Sequence, residues 1–348
     1  MIFSEAINDA LIESMKLDNK VICYGLGVDD PKRIFGTTKG LKEKFGNERV
    51  FDMPTSENAM TGVSVGLAIG GYRSVVVHQR LDFFLLAMDQ LVNSAAKWYY
   101  MFGGKVNIPM VIRLVIGRGW GQGPTHSQSL HSWFAHIPGL KVVMPATAAD
   151  AKGLLMSSIF DGNPVLFLEH RWLHAQDGDV PAGDYRVPLG KAKLLKKGED
   201  VTIVSNSFMT VEAIHAVECL NMQGVHCDLI DLRTIRPIDW ETIEKSVLKT
   251  GKLLVLDIGT EFVSIAGEII SSITERCFDS LNVAPIRICL PDHATPAGFS
   301  LTKNYYPGAE SIVKAVSKLM DVSLESDSLS DRQTWPHDVP GNWFQGPF

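Results

Sequence analysis

Apolar positions recur along this chain in two alternating spacings. Ile7, Leu11 and Met15 stand four apart, on one side of a helix, and residues 20–24 then read as a short strand. Residues 59–69 are small and apolar at helical spacing, stopped by Gly70 and Gly71, and residues 73–77 are strand-like. Residues 85–101 predict a helix closed by Gly103 and Gly104, residues 110–116 a strand, residues 148–160 a helix and residues 165–168 a strand. The strand-like runs are β-branched and lack clean polar alternation, which suits a parallel sheet covered by helices on both faces.

The rhythm breaks over residues 174–187, which carry Asp, Gly and Pro without periodicity and make the best linker candidate. It restarts with strands at 201–204, 225–230, 252–257 and 285–290, interleaved with helices at 211–220, 240–248, 265–277 and 309–319. The expected architecture is α/β throughout: a domain over residues 1–185 and a smaller α/β domain over 186–320. Residues 321–348 form a tail, first acidic and Ser-rich, then carrying Trp335, Trp343, Phe344 and Phe348. Residues 321–331 are expected to be mobile or extended. The aromatic end either docks on a subunit surface or stays disordered.

The length of 348 residues fits two domains, and a 45% hydrophobic content supplies a sizeable core. A formal net charge of −6 argues against a nucleic-acid surface, which needs a basic stripe. No basic stretch precedes an apolar run at the start, and no apolar run reaches the ~20 residues that span a bilayer. The cytoplasm is the expected location, with no membrane contact. Five cysteines, Cys23, Cys219, Cys227, Cys277 and Cys289, form no CxxC pair and read as small buried hydrophobes in a reducing compartment.

Candidate chemistry concentrates in a few places. Gly117, Gly119, Gly121 and Gly123 open a segment that continues through Trp120, Gln122 and His126, just after a predicted strand. Such spacing means tight turns or a backbone approached by a ligand; a plain surface loop is the alternative. It is neither a P-loop nor a dinucleotide fingerprint. Glu57 precedes the small apolar run at 59–69. It reads either as a first-turn acid under a Thr55 or Ser56 cap, or as a carboxylate at the mouth of a buried helix, where withdrawal from water favours the neutral acid. His78, Gln79, Arg80 and Asp82 form a polar knot at a strand end, where open α/β sheets place ligands, or else a local ion-pair cluster. Of His131 and His136, at least one is a structural histidine. Glu169, His170, Arg171 and Trp172 end another strand and bind a partner, an anion or nothing.

In combination the motifs resemble the beta subunits of the E1 component of 2-oxoacid dehydrogenases, of the pyruvate, branched-chain and acetoin type, from about Phe3 to about Leu319. They are PTSE at 54–57, AMDQLVNSAAK at 87–97, YMFGG at 100–104, HSQS at 126–129, AHIPGLKVVMP at 135–145, DAKG at 150–153, DGNP at 161–164, DLRTIRPID at 231–239, and Tyr306-Pro307. The resemblance implies a thiamine-diphosphate-binding, pyrimidine-type fold followed by a transketolase C-terminal-like domain. It implies thiamine diphosphate as cofactor. The Mg2+ is held mainly by an alpha subunit, whose Gly-Asp-Gly motif this chain lacks. An α2β2 assembly, a small 2-oxoacid substrate and a lipoyl acyltransferase (E2) as acceptor complete the expectation.

Carried over by motif, Glu57 hydrogen-bonds the pyrimidine ring nitrogen, Phe83 packs on its face and Gln79 lies with them. His126 faces the substrate as a catalytic residue. Arg80, Asp82, His78, Trp120 and Gln122 are expected to line the substrate pocket, and Asp161 and Asn163 match a potassium-binding turn in some relatives. Arg80 and Asp82 depart from the family and suggest a more polar substrate. Asp257-Ile258 stands where relatives carry His-Glu, which bears on whether the enzyme feeds a lipoyl complex. The same cofactor also serves a carboligase with an aldehyde acceptor, and a non-catalytic stabilising subunit is the third reading.

Overall fold

The structure is a computed structural model that describes residues 1–329. The aromatic part of the tail, from residue 330 on, lies outside the described residues. The described chain divides into two compact units: Met1–Ile116 with Trp133–Leu189, and Gly117–Ser132 with the chain from Gly190 on.

In the first unit, β1 (Val21–Gly25), β2 (Val50–Asp52), β3 (Arg73–His78), β4 (Met110–Ile116), β5 (Lys141–Val143) and β6 (Val165–His170) lie in the order β5-β6-β4-β3-β1-β2, all parallel. Every residue of β1, β4 and β6 is buried, which explains their lack of alternation. α1 (Phe3–Leu17) and α7 (Ala148–Ile159) pack on each other and against the sheet. So do α3 (Glu57–Ile69) and the helical run that starts with α4 (Leu81–Phe84) and ends with α5 (Ala96–Met101). A short α2 (Leu41–Phe45) precedes β2, and a short α6 (His131–His136) precedes β5 in sequence. Thr147 caps α7, its hydroxyl accepting the Asp150 N–H at 3.1 Å.

The run beginning at Leu81 starts four residues before its expected position and passes through a π-helical stretch, Gln90–Ala95. Asp82 and Phe83 therefore lie on its first turn, not in a strand-end loop. The expected linker has neither helix nor ladder, yet it is fastened to the first unit. Backbone N–H groups of Phe3, Ser4 and Val187 donate to Gln176, His174 and Gly153, and Lys152 donates to the Pro181 carbonyl at 2.7 Å.

The second unit has the sheet order β12-β11-β8-β9-β7, with β7 (Lys193–Lys196), β8 (Val201–Ser205), β9 (Cys227–Asp231), β11 (Leu253–Thr260) and β12 (Ile286–Leu290). The edge strand β7 runs antiparallel to β9; the rest are parallel. A short β10 (Thr234–Arg236) follows β9. Helices α8 (Ser207–Asn221) and α12 (Ala309–Met320) pair, as do α9 (Trp240–Thr250) and α10 (Ile265–Cys277), and α11 (Phe299–Tyr305) lies between β12 and α12 in sequence. The last helix shows the amphipathic logic plainly: Ile312, Val313, Val316 and Leu319 are buried, with Lys314 and Lys318 outside. Beyond it, the acidic stretch expected to be mobile or extended is held as far as residue 329. Gln223 brackets Glu325, donating to its carbonyl at 2.8 Å and accepting its N–H at 2.7 Å. Among the described residues no helix is long and apolar enough to cross a membrane.

Candidate active site

Glu57 is the first residue of α3 and only 6% exposed. Ser56 holds the cap position, but its hydroxyl does not cap, so the simple capping account fails here. Thr61 donates to the Glu57 carbonyl at 3.0 Å. The Glu57 carboxylate makes no hydrogen bond or ion pair among the described residues. A largely buried carboxylate without a protein partner is costly unless water or a ligand supplies one. Its helix is pinned from the sheet side by the Tyr24 hydroxyl, which donates to the Met60 carbonyl at 2.8 Å, and by the Ser64 and Ser74 hydroxyls, which meet.

The polar knot forms where β3 ends, next to the end of β1. The Leu26 N–H donates to the Val77 carbonyl at 3.0 Å, and Met53 N–H to Gly25 at 3.0 Å, so three strands finish together. His78 is 1% exposed, packs edge-on against Phe84 at 4.9 Å, and neither ring nitrogen has a partner among the described residues. Burial pushes its pKa down to about 4, so the ring is neutral. Gln79 is exposed, and its amide occupies the space above Gly27, where a Cβ would meet Nε2 at 2.5 Å. Arg80 is 7% exposed; burial lowers its pKa, opposed by Asp82. Phe83 is 39% exposed on the first turn of α4.

Arg171 lies near Arg80 and stacks over Phe35 at 3.9 Å. Burial first and then the Arg80 charge lower its pKa to about 9, against Glu169. Glu169, His170, Arg171 and Trp172 are all buried, so this set is an internal network, not an exposed binding edge. The sequence reading missed its centre, Arg113, which is wholly buried in β4. The signal was there: a lone guanidinium inside the run Met-Val-Ile-Arg-Leu-Val-Ile.

The second unit carries the glycine-rich segment. Gly117, Gly119, Gly121 and Gly123 all adopt positive φ, between 66° and 149°, and Trp120 joins them at 55°. Trp120 and His126 are half-buried and Gln122 is exposed. His126 pairs through Nδ1 with the Thr125 hydroxyl at 3.0 Å. Of the two other histidines weighed, His131 is wholly buried and His136 is exposed.

Asp161 and Asn163 sit in the turn before β6, at the opposite end of that strand from the sheet edge where β3 finishes. Asp161 accepts the Asn163 N–H at 2.8 Å and pairs with Lys141 at 2.5 Å. Arg73 donates to the Ile159 and Asp161 carbonyls at 3.2 and 3.1 Å. Lys141 thus serves the Asp161 carboxylate, and Arg73 the Ile159 and Asp161 carbonyls. Among the described residues no group of three or more His, Cys, Asp or Glu could hold a metal ion. The five cysteines are unpaired; Cys23 and Cys227 are buried and their thiols pushed up to about 12 by burial.

Two α/β units, the first a wholly parallel sheet with a buried acid at a helix start, define a transketolase-type protein. Residues 1–175 match the family described as "Transketolase, pyrimidine binding domain", and residues 190–312 match "Transketolase, C-terminal domain". A solved structure described as "Split gene transketolase, inactive beta4 tetramer" shares the fold with TM-score 0.74 at 23% identity, over 92% of this chain and 99% of that one. The beta subunit of acetoin:2,6-dichlorophenolindophenol oxidoreductase from Cupriavidus necator is 39% identical over 90% of this chain and 96% of its own length. The pyruvate dehydrogenase E1 beta subunit of Rhizobium meliloti is 40% identical, over 91% and 69%. The mitochondrial counterpart of Caenorhabditis elegans is 40% identical, over 93% of each chain. The chain belongs to the family of E1 beta subunits of thiamine diphosphate-dependent 2-oxoacid dehydrogenases.

Proposed function

We propose that this chain supplies the pyrimidine-side half of a thiamine diphosphate site and works with an alpha subunit, as α2β2, to decarboxylate a small 2-oxoacid. The observation that carries the reading is Glu57: a carboxylate at a helix start, 6% exposed, with no partner among the described residues. Such an acid suits a ring nitrogen that it can share a proton with. When bound, the cofactor supplies the electron sink for loss of carbon dioxide. Glu57 holds the proton at the ring nitrogen. Phe83 offers the aromatic surface for the ring face, and Gln79 a polar edge. His126, half-buried beside Thr125, binds the substrate carboxylate or carries a proton, for which an imidazole is suited near neutral pH.

The polar character of His78, Arg80 and Asp82 favours a 2-oxoacid with a polar side chain over a bare methyl or branched one. Mg2+ is held by the alpha subunit, and a lipoyl group on an acyltransferase takes the acyl product. The test is co-purification with the candidate alpha subunit and assay across a panel of 2-oxoacids, with thiamine diphosphate, Mg2+ and an artificial electron acceptor. Turnover is expected from the complex alone. Turnover by this chain without a partner, or a well-formed complex inert to every 2-oxoacid, overturns the proposal.

A further inference from the structure

The glycine-rich segment leaves the first unit after Ile116 and is counted with the second through Ser132. Three contacts fasten it there. Near its start, the Arg118 guanidinium lies 4.3 Å from the Tyr306 ring and 5.2 Å from Phe208. In its middle, Gly121 and Gly123 lie against Ala297 so closely that a Cβ would meet its carbonyl oxygen at 3.2 Å and its Cβ at 3.4 Å. At its end, His131 Nε2 is 2.7 Å from Asp257 Oδ1, both side chains wholly buried.

Asp257 is itself rigidly held. Gly259 N–H donates to Oδ1 at 3.1 Å, and Ala266 N–H, in the first turn of α10, donates to Oδ2 at 3.3 Å. Burial pushes its carboxyl up, but His131 and these donors bring it below the usual carboxylate range, so it is an ionised acceptor. An ionised carboxylate only accepts, so Nε2 of His131 carries the proton. Gly259 completes the seat: a Cβ there would meet the His131 ring at 3.0 Å.

We propose that His131 and Asp257, aided by Arg118, are positioning residues that hold the His126-bearing segment on the second unit. This rests on the reading of His126 as the substrate-facing histidine. His126 and His131 stand five positions apart, a tether of at most about 17 Å. Upstream, Gly117, Gly119, Trp120, Gly121 and Gly123 all sit at positive φ, and glycines resist displacement poorly. Without the buried pair, the segment keeps its Arg118 and Ala297 contacts upstream of His126 but loses its anchor downstream. A misplacement of about 1 Å costs on the order of 100-fold in rate.

The experiment is a double-mutant cycle in the assembled αβ complex with thiamine diphosphate and Mg2+. His131→Ala and Asp257→Asn are expected to lower kcat by about 10- to 100-fold, with the thiamine diphosphate requirement unchanged. In a His126→Ala background the same changes are expected to have little further effect, because the anchor acts through His126. Amide hydrogen exchange should speed up across residues 117–130 and stay unchanged in β8 and β9. If His131→Ala does not assemble, Asp257→Asn, which keeps the shape of the acid, carries the cycle. Equal losses with and without His126, or unchanged exchange in the segment, overturn the anchor. A fully active His126→Ala enzyme instead refutes the reading of His126, and is seen before the cycle is closed.

Discussion

Arg113 Nη2 lies 2.7 Å from Glu169 Oε1 across the neighbouring strands β4 and β6, and neither side chain reaches water. The Thr37 hydroxyl accepts a further hydrogen bond from the same nitrogen at 3.0 Å, and His174 Nε2 stands 3.6 Å from the other carboxylate oxygen. Burial pushes the Glu169 carboxyl up, but Arg113 and His174 outweigh it and hold the group lowered. The pair therefore sits charged in the middle of the first sheet. Glu169→Gln leaves a buried guanidinium uncompensated and is expected to cost about 3–5 kcal/mol in urea unfolding. Arg113→Met combined with Glu169→Leu removes both charges and is expected to recover most of that loss. A double variant no more stable than the single one would show that the network, not charge balance, sets the cost.

Acid sensitivity follows from His78. Burial alone lowers its pKa to about 4, against ~6.5 in an unfolded chain. Above pH ~6.5 both states are neutral and stability is full. As pH falls from ~6.5 towards 4 the unfolded chain takes up a proton that the folded one refuses, so stability is lost across that window, by about 3 kcal/mol in all. His174, also lowered chiefly by burial and opposed by Glu169, adds to the loss. His78→Phe keeps the packing against Phe84 and should flatten the decline in Tm between pH 7.5 and 5. An unaltered pH profile in that variant would assign the acid sensitivity elsewhere.

Gly139 offers a backbone test of the first unit. Its φ is +99°, and a Cβ there would lie 1.9 Å from the Ala96 carbonyl oxygen. Gly139→Ala must move the chain away from the end of the long helical run, at a cost of about 3 kcal/mol or more. Gly103, at φ +62° with open space around it, is the control. Its alanine variant bears only the left-handed penalty of ~1 kcal/mol. Equal unfolding midpoints for the two variants would remove the steric argument.

The elements that were legible are those whose pattern is local. Ile265–Cys277 and Met110–Ile116 match their expected bounds, because apolar spacing and flanking breakers act within a dozen residues. β7 was missed: Lys193–Lys196 is mostly exposed and is a strand only by pairing with β9. α11 was missed because only Thr302 and Tyr305 of its residues are buried, too few to mark a stripe. Glu57 could be singled out from the small apolar run that follows it, but the absence of a cap at Ser56 could not. The attachment of residues 117–132 to the second unit was illegible for a plain reason. It depends on partners such as His131 and Asp257, 126 positions apart.

Glu57 and Phe83 make different demands on the same proposal, and kinetics can separate them. Glu57 acts by holding a proton, which a carboxamide cannot exchange, whereas Phe83 acts by contact area. Glu57→Gln keeps size and polarity, so assembly with the alpha subunit should persist while kcat falls by about 100-fold or more, the usual scale of acid–base loss. Phe83→Ala removes an aromatic face, worth about 1–2 kcal/mol, and should raise the thiamine diphosphate needed for half activity by roughly 10-fold with kcat less affected. Glu57→Asp retains a carboxyl but withdraws it by one methylene, and should recover part of the rate. The order expected for kcat is wild type, then Phe83→Ala, then Glu57→Asp, then Glu57→Gln. Wild-type turnover in Glu57→Gln would remove the acid from the reaction, and with it the reading of its buried, unpartnered carboxylate as the cofactor's proton partner.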